Sequence, residues 1–241
     1  MLGISPCRET VRRAVRKLGF SFKKAHKLLG KACPQRRAEF VRELSALIHA
    51  AQQPDGPLLA FVDEAHIHLD ADPGYGWAPH GQRLYVNSNS PALAQKRTCF
   101  GVYLYGAFEP VQIHTACWAS SETTCDLLVA LRQAYPHRPL VLVWDNVRYH
   151  HSNKVRDQAE QLGIRLVYLP PYSPDLMPVE RLWSWLRQEL TYLHCHADPA
   201  ELVDRIAAFV ERLLDTPQLV HRRLAPKLHL DPDQEKLLVS A

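Results

Sequence analysis

Two short apolar runs, LLAFV at Leu58–Val62 and LVLVW at Leu140–Trp144, each stop at an aspartate. The second sits in PLVLVWDN, a continuous apolar stretch closed by polar residues, which reads as a strand buried on both faces. Such a strand demands cover above and below, and the rest of the chain offers it. LLAFVDEAHIHL, RTCFGVYLYGAF, VQIHTACWA and IRLVYL read as further strands, and GYGWAPHGQ as a hairpin-like excursion. Glu122 to Tyr135 and Asn153 to Leu162 read as helices, the second ended by Gly163, and a further helix follows Pro178 through about Leu193. Strands that come first in succession and then alternate with helices imply an α/β fold, a mixed sheet flanked by helices. At 241 residues, with 46% hydrophobic residues, the chain fits one large α/β domain with a small appendage.

The flanks of this region differ from it. Gln35 to Ala51 places Phe40, Val41, Leu44, Leu47 and Ile48 on one face, a connecting helix that QQPDGP at residues 52–57 closes. The expected domains are therefore 1–52, 58–195, and a helical extension over 196–241 packing on the main domain. In that extension, Asp198 to about Leu214 and again Leu219 to Leu224 look helical. Residues 1–37 hold eleven Lys/Arg against Glu9 alone, so they carry +10, and the net charge of +4 leaves −6 on the remainder. Within this arm, TVRRAVRKL (Thr10 to Leu18) has an apolar face of Val11, Ala14, Val15 and Leu18 opposite Arg12, Arg13, Arg16 and Lys17, and ends at Gly19. Such an arm, with Lys23 and Lys24 beyond the helix, reads as a phosphate-binding element. A solvated basic helix is the plain alternative.

No apolar run approaches the ~18–20 residues needed to cross a bilayer, and the basic N-terminus lacks the apolar core of a signal peptide. A cytoplasmic, intracellular protein is expected, with no membrane partner. Six cysteines without a C-x-x-C pair read as reduced thiols. HIH at His66–His68 and HCH at His194–His196 have metal-ligand composition, although alternation along a strand accounts for HIH equally well.

The chemistry lies in three acids. Asp63 and Asp145 each end a buried strand, where a carboxylate is costly unless paired, hydrogen-bonded or bound to a metal, and where ligand sites of α/β sheets cluster. Glu180 heads an apolar-striped helix (Val179, Leu182, Trp183, Leu186, Leu190, Leu193) and falls on the flank of the stripe, at the seam between helix and sheet. Pro170, Pro171, Pro174 and Pro178 stiffen the approach, fixing φ and lowering the entropy lost on ordering the loop. Three converging carboxylates repel by roughly 4 kcal/mol per pair at 4 Å and an effective dielectric near 20. Divalent cations relieve this at neutral pH, and oxygen-only ligands suit Mg²⁺ or Mn²⁺. Two such ions clamp the attacking and leaving oxygens of a phosphoryl displacement, so phosphodiester cleavage or transfer is the expected reaction class. Glu64 alternates to the opposite face of the strand, Asp70, Asp72 and Asp175 sit in turn contexts, and Trp183 and Trp185 read as packing.

FVDE, WDNVRYHHS and PPYSPDLMPVERLW, in this order, resemble the catalytic domain of DDE transposases of the mariner superfamily, specifically the bacterial insertion sequence 630 family. Asp145 and Glu180 are separated by 34 residues, that superfamily's characteristic interval. The resemblance covers about residues 58–195, GYGWAPHGQ looks like the family's hairpin, and TVRRAVRKLGFSFKK resembles the end of its DNA-binding region. It implies an RNase H-like fold, two Mg²⁺ ions (Mn²⁺ substituting) on Asp63, Asp145 and Glu180 as catalytic ligands, and Asn146 and His150 as supporting or DNA-facing groups. It implies double-stranded DNA as partner, as terminal inverted repeats and as target, with hydrolysis at the element's ends and attack of the freed 3′-hydroxyl on target DNA, usually at TA. It also implies a homodimer or larger assembly on DNA, and a bacterial, nucleoid-associated location. Two departures stand out. Met177 occupies the place where the family usually has Asn, a good helix N-cap, at an expected local cost of about 1 kcal/mol. The N-terminal DNA-binding region is short, a remnant of a helix-turn-helix, so a partner chain supplying the missing part is expected if the gene is split. The alternatives are a truncated or catalytically impaired DNA-binding regulator of transposition, and an RNase H-like nuclease without strand transfer.

Overall fold

A computed structural model describes residues 7–21, 33–88, 95–171 and 173–224. The chain divides into two compact units, Met1–Gly30 and Lys31–Ala241.

In the first unit, helix α1 (Arg8–Lys17) buries none of its residues, and Gly19, at φ +85°, ends it in the left-handed conformation that glycine tolerates. Glu9 accepts from Arg12 at 2.7 Å and from Arg13 at 3.3 Å on the same exposed face. Arg16 and Lys17 are also exposed, whereas Lys23 and Lys24 lie outside the described residues.

The second unit is built on five strands: β1 (Leu58–His68), β2 (Lys96–Leu104), β3 (Val111–Ala116), β4 (Leu140–Trp144) and β5 (Ile164–Tyr168), in the order β3-β2-β1-β4-β5. The β1–β2 and β2–β3 pairs are antiparallel, whereas β1–β4 and β4–β5 are parallel, so the sheet is mixed, as the succession of elements implied. Strand alternation sorts the core into two halves. Leu59, Phe61, Val141 and Val143 meet helices α2 (Pro34–Ala51), α5 (Val179–Leu190), α6 (Pro199–Leu214) and α7 (Pro217–Leu224) on one side. Ala60, Val62, Leu142 and Trp144 meet α3 (Ser121–Ala134) and α4 (Asn153–Gln161) on the other. α2 belongs to the same compact unit as the sheet through Phe40, Val41, Leu44 and Leu47. α6 and α7 complete the core through Ile206, Phe209, Leu213, Val220 and Leu224; residues 225–241 lie outside the described residues.

The segment read as a hairpin-like excursion forms no strand pair among its described residues. Gly81, at φ +82°, and a Gln82 N–H to Pro79 C=O bond make one turn, and Tyr75 and Trp77 are fully exposed. The turn signal was correct but the ladder was not. A two-stranded ribbon is marginal in water without a third surface to cover it, and these aromatic residues have none.

Candidate active site

Register brings the two aspartates together. Phe61 of β1 pairs with Val143 of β4, and two residues further along each parallel strand stand Asp63 and Asp145, on the same face. Glu180 enters from α5, which packs on that face of β1 and β2. All three line one cavity of about 430 Å³ with Asn146, Val147, Leu169, Pro170, Pro171, Ser173, Pro174 and Met177.

The proline loop is tied at its start. Leu169 N–H donates to Trp144 C=O at 2.9 Å, and the Asn146 amide donates to Leu169 C=O, so the turn after β4 and the loop after β5 are joined. Pro174 opens a 3-10 turn over Pro174–Leu176, from which the chain passes through Met177 into α5. The N-cap of α5 is Pro178 rather than Met177, and among the described residues no side chain caps the helix. Met177 is instead buried at 4% exposure, so the missing cap is accompanied by an apolar contact that Asn could not make.

Each aspartate is held from behind by a different donor. Trp183, one turn beyond Glu180, donates its indole N–H to Asp63 Oδ2 at 2.9 Å. Its ring reaches close to β2 because residue 101, directly opposite Asp63 in the ladder, is glycine; a Cβ there would meet the Trp183 ring at 2.7 Å and Val179 at 2.9 Å. Asp145 Oδ1 accepts from the Val147 N–H at 3.1 Å and from His150 Nδ1 at 3.0 Å. His150 Nε2 reaches Glu64 Oε1 at 2.6 Å. Both partners are acceptors when ionised, so both ring nitrogens donate and His150 is an imidazolium. It stacks on Trp144 at 4.3 Å and is fully buried. Asn146 is exposed and accepts from His151, whose ring stacks on Tyr168 at 4.2 Å.

The electrostatics follow from these partners. Burial, then the nearby charge of Glu180, pushes Asp63 up to about 7, although the indole bond acts in the opposite direction. Burial would also raise Asp145, but the His150 hydrogen bond, the Val147 N–H and the imidazolium charge outweigh it and hold it below the usual range. Burial alone would lower His150; its bonds to Asp145 and Glu64 raise it to about 9.

Sequence reading missed two of these contributors. Glu64 does point to the opposite side of the sheet, as alternation requires, but His150 lies on that side and carries its charge to Asp145. Trp183 packs, as expected, but also donates to Asp63. Asp72 is less a turn former than a clip: its N–H donates to Thr191 C=O at 2.8 Å and its carboxylate accepts from the Thr191 hydroxyl, joining the exit of β1 to the end of α5. Asp70 is buried and accepts from Ser88.

The family described as DDE superfamily endonuclease matches residues 58–203. The 39 kDa protein of insertion element IS630 from Shigella sonnei, itself described as uncharacterized, is 27% identical over 215 residues, which is 86% of this chain and 60% of that protein. This chain therefore spans about three fifths of that relative's length. Among solved structures, a Mos1 mariner paired-end complex with Mn aligns over 95% of this chain and 69% of its own, at a TM-score of 0.68 and 16% identity. The catalytic domain of Mos1 mariner transposase aligns over 89% of this chain and 95% of its own, at a TM-score of 0.56 and 15% identity. The sheet and its helical layers thus share the fold of that catalytic domain, which is RNase H-like.

Proposed function

The chain belongs to the DDE superfamily endonucleases, and on that premise we propose that it is a transposase acting on DNA phosphodiesters through Asp63, Asp145 and Glu180. The observation that carries this reading is that the three carboxylates line one cavity at the ends of adjacent parallel strands.

The residues suit hard divalent cations. The donors are carboxylates, and among the described residues the bonds to Trp183 and to His150 and Val147 engage Asp63 through Oδ2 and Asp145 through Oδ1, leaving Oδ1 and Oδ2 respectively for a ligand. Two Mg²⁺ ions, or Mn²⁺ in their place, held there would supply the charge that stabilises the attacking and leaving oxygens of an in-line displacement. The chain does the positioning. Trp183 fixes the rotamer of Asp63, and His150 with the Val147 N–H fixes Asp145 and keeps it ionised. The Asn146-tied proline loop sets where α5 begins and thereby where Glu180 stands. Water attacking phosphorus at the element's end would release a 3′-hydroxyl, and that hydroxyl would attack a target phosphodiester, expected at TA.

The substrates proposed are the terminal inverted repeats and a target duplex, engaged by a homodimer or larger assembly. In α1, Arg16 and Lys17 are the residues of the basic face that Glu9 does not engage, and they are proposed as phosphate contacts with Arg12, Arg13, Lys23 and Lys24. The test is incubation of the purified chain with an inverted-repeat duplex and Mg²⁺ or Mn²⁺, beside Asp145→Asn. End nicking and joining, both lost in the variant, support the proposal. Nicking without joining points instead to a nuclease, and binding without nicking to a regulator.

A further inference from the structure

We propose that His194, His196 and Glu201 form a zinc site, separate from the catalytic carboxylates, that fastens the end of β1 and the start of α6. The HCH segment lies between α5 and α6, and Glu201 occupies the first turn of α6. His194 Nε2 and His196 Nδ1 stand 3.4 and 3.5 Å from the same Glu201 oxygen, Oε1. These separations are long for charge-assisted hydrogen bonds, which run at roughly 2.7–2.9 Å. They match a coordination tetrahedron: Zn–N and Zn–O bonds near 2.0–2.1 Å place neighbouring donors roughly 3.4 Å apart.

A second observation points the same way. His196 is 1% exposed, and among the described residues neither of its ring nitrogens makes a hydrogen bond. A buried polar group left without a hydrogen bond costs about 1–3 kcal/mol, and the 3.5 Å approach of Nδ1 to Glu201 does nothing, among the described residues, for Nε2. The ligand carboxylate is itself supported, since Glu201 Oε2 accepts from the Ala197 N–H at 2.7 Å. The backbone is anchored too: His196 N–H donates to Leu69 C=O at 2.8 Å, next to the last residue of β1.

One group opposes the ion. Arg205 donates to His194 Nε2 and lies 3.9 Å from Glu201 Oε1, so its guanidinium competes for the same two donors. Its side chain is 39% exposed, and cation binding would require it to leave His194 and turn toward solvent. This competition gives the proposal a signature that a purely structural ion-pair network lacks, because removing Arg205 should strengthen metal binding.

The test is titration of the chelator-stripped full chain with Co²⁺ and then Zn²⁺, following the visible absorption of tetrahedral Co²⁺ and the thermal midpoint. The expected result is one equivalent of tetrahedral Co²⁺, displaced by Zn²⁺, that persists in Asp145→Asn. Affinity should fall by more than about tenfold in His194→Ala and in Glu201→Gln, given that even outer-sphere partners are worth 10–100-fold. It should rise severalfold in Arg205→Gln. Both weakening substitutions are at side chains more than a third exposed, so the fold should survive them, as far-ultraviolet circular dichroism would verify. Absence of a tetrahedral spectrum, a spectrum lost in Asp145→Asn, or affinity indifferent to His194→Ala and Glu201→Gln would overturn the proposal.

Discussion

The ends of β1 and β4 carry the same residue on adjacent strands and on the same face, yet the proton affinities of the two carboxylates are shifted in opposite directions. Asp63 is backed by a neutral indole N–H and is crowded by Glu180, so burial prevails and its affinity for a proton rises to about 7. Asp145 is backed by an imidazolium that Glu64 steadies from the other side of the sheet, and its proton affinity falls. A buried carboxylate is ionised by what stands behind it as much as by what it binds in front. Asp145 is thus held ready by the protein's own donors, whereas nothing among the described residues offsets the burial and crowding of Asp63 to the same degree.

Removing the aspartates themselves is the harshest way to break this contrast. Asp63→Asn and Asp145→Asn should each abolish end cleavage, measured on a labelled inverted-repeat duplex, but their effects on stability should differ in sign. Asparagine at 63 removes a crowded charge and should stabilise the metal-free chain at neutral pH, whereas asparagine at 145 removes the partner of a buried imidazolium and should destabilise it. Equal thermal shifts in the two variants would contradict the assignment of their environments.

Next in size is the imidazolium. His150→Ala leaves Glu64 nearly buried beside Asp145 without its counter-charge, a loss of about 3–5 kcal/mol by the usual cost of breaking a buried pair, read by urea denaturation. The same group sets a pH dependence. Its folded value, about 9, lies above the ordinary 6.5, so its contribution is complete below about pH 6.5 and lost as pH rises toward 9. Asp63 acts in a lower window: raised to about 7 from 3.8, it makes the metal-free fold less stable as pH rises from about 4 to 7, a slope that Asp63→Asn should remove.

Much of this arrangement was legible before any coordinates. An apolar run that stops at an acid is a strand end, and two such runs with the stiff approach to Glu180 were enough to expect three carboxylates at one place. The supports behind them were not. Alternation turns Glu64 away from Asp63, as the structure bears out, but sequence spacing does not reveal that His150 folds back through a 3-10 turn (Arg148–His151) to join it to Asp145. Trp183 sits on the apolar stripe of its helix, and only the gap at Gly101 on a different strand turns its N–H toward Asp63. Such contacts are tertiary coincidences of two or three elements, invisible to periodicity.

Smaller effects sharpen the β1 side. Trp183→Phe keeps most of the buried ring and deletes the donor, so it should cost about 1–3 kcal/mol and raise Asp63 further, moving the acid limb of the pH–rate profile upward. An unchanged limb would mean that the indole bond does not govern Asp63. The smallest change is expected farthest from the site. Arg16→Ala and Lys17→Ala, both exposed, should alter stability by no more than about 0.5 kcal/mol. Each should weaken DNA binding uniformly across sequences and lower the salt-dependence slope by about 1, measured by fluorescence anisotropy at several salt concentrations.

The most direct measurement is anomalous diffraction from crystals of the chain soaked in Mn²⁺. The expected result is ion density in the cavity between β1, β4 and the start of α5, at bonding distance from Asp63 Oδ1, Asp145 Oδ2 and the Glu180 carboxylate, with Trp183 and His150 still on the opposite oxygens. Ions bound without these three residues, or a Glu180 side chain directed away from both aspartates with Mn²⁺ present, would contradict it.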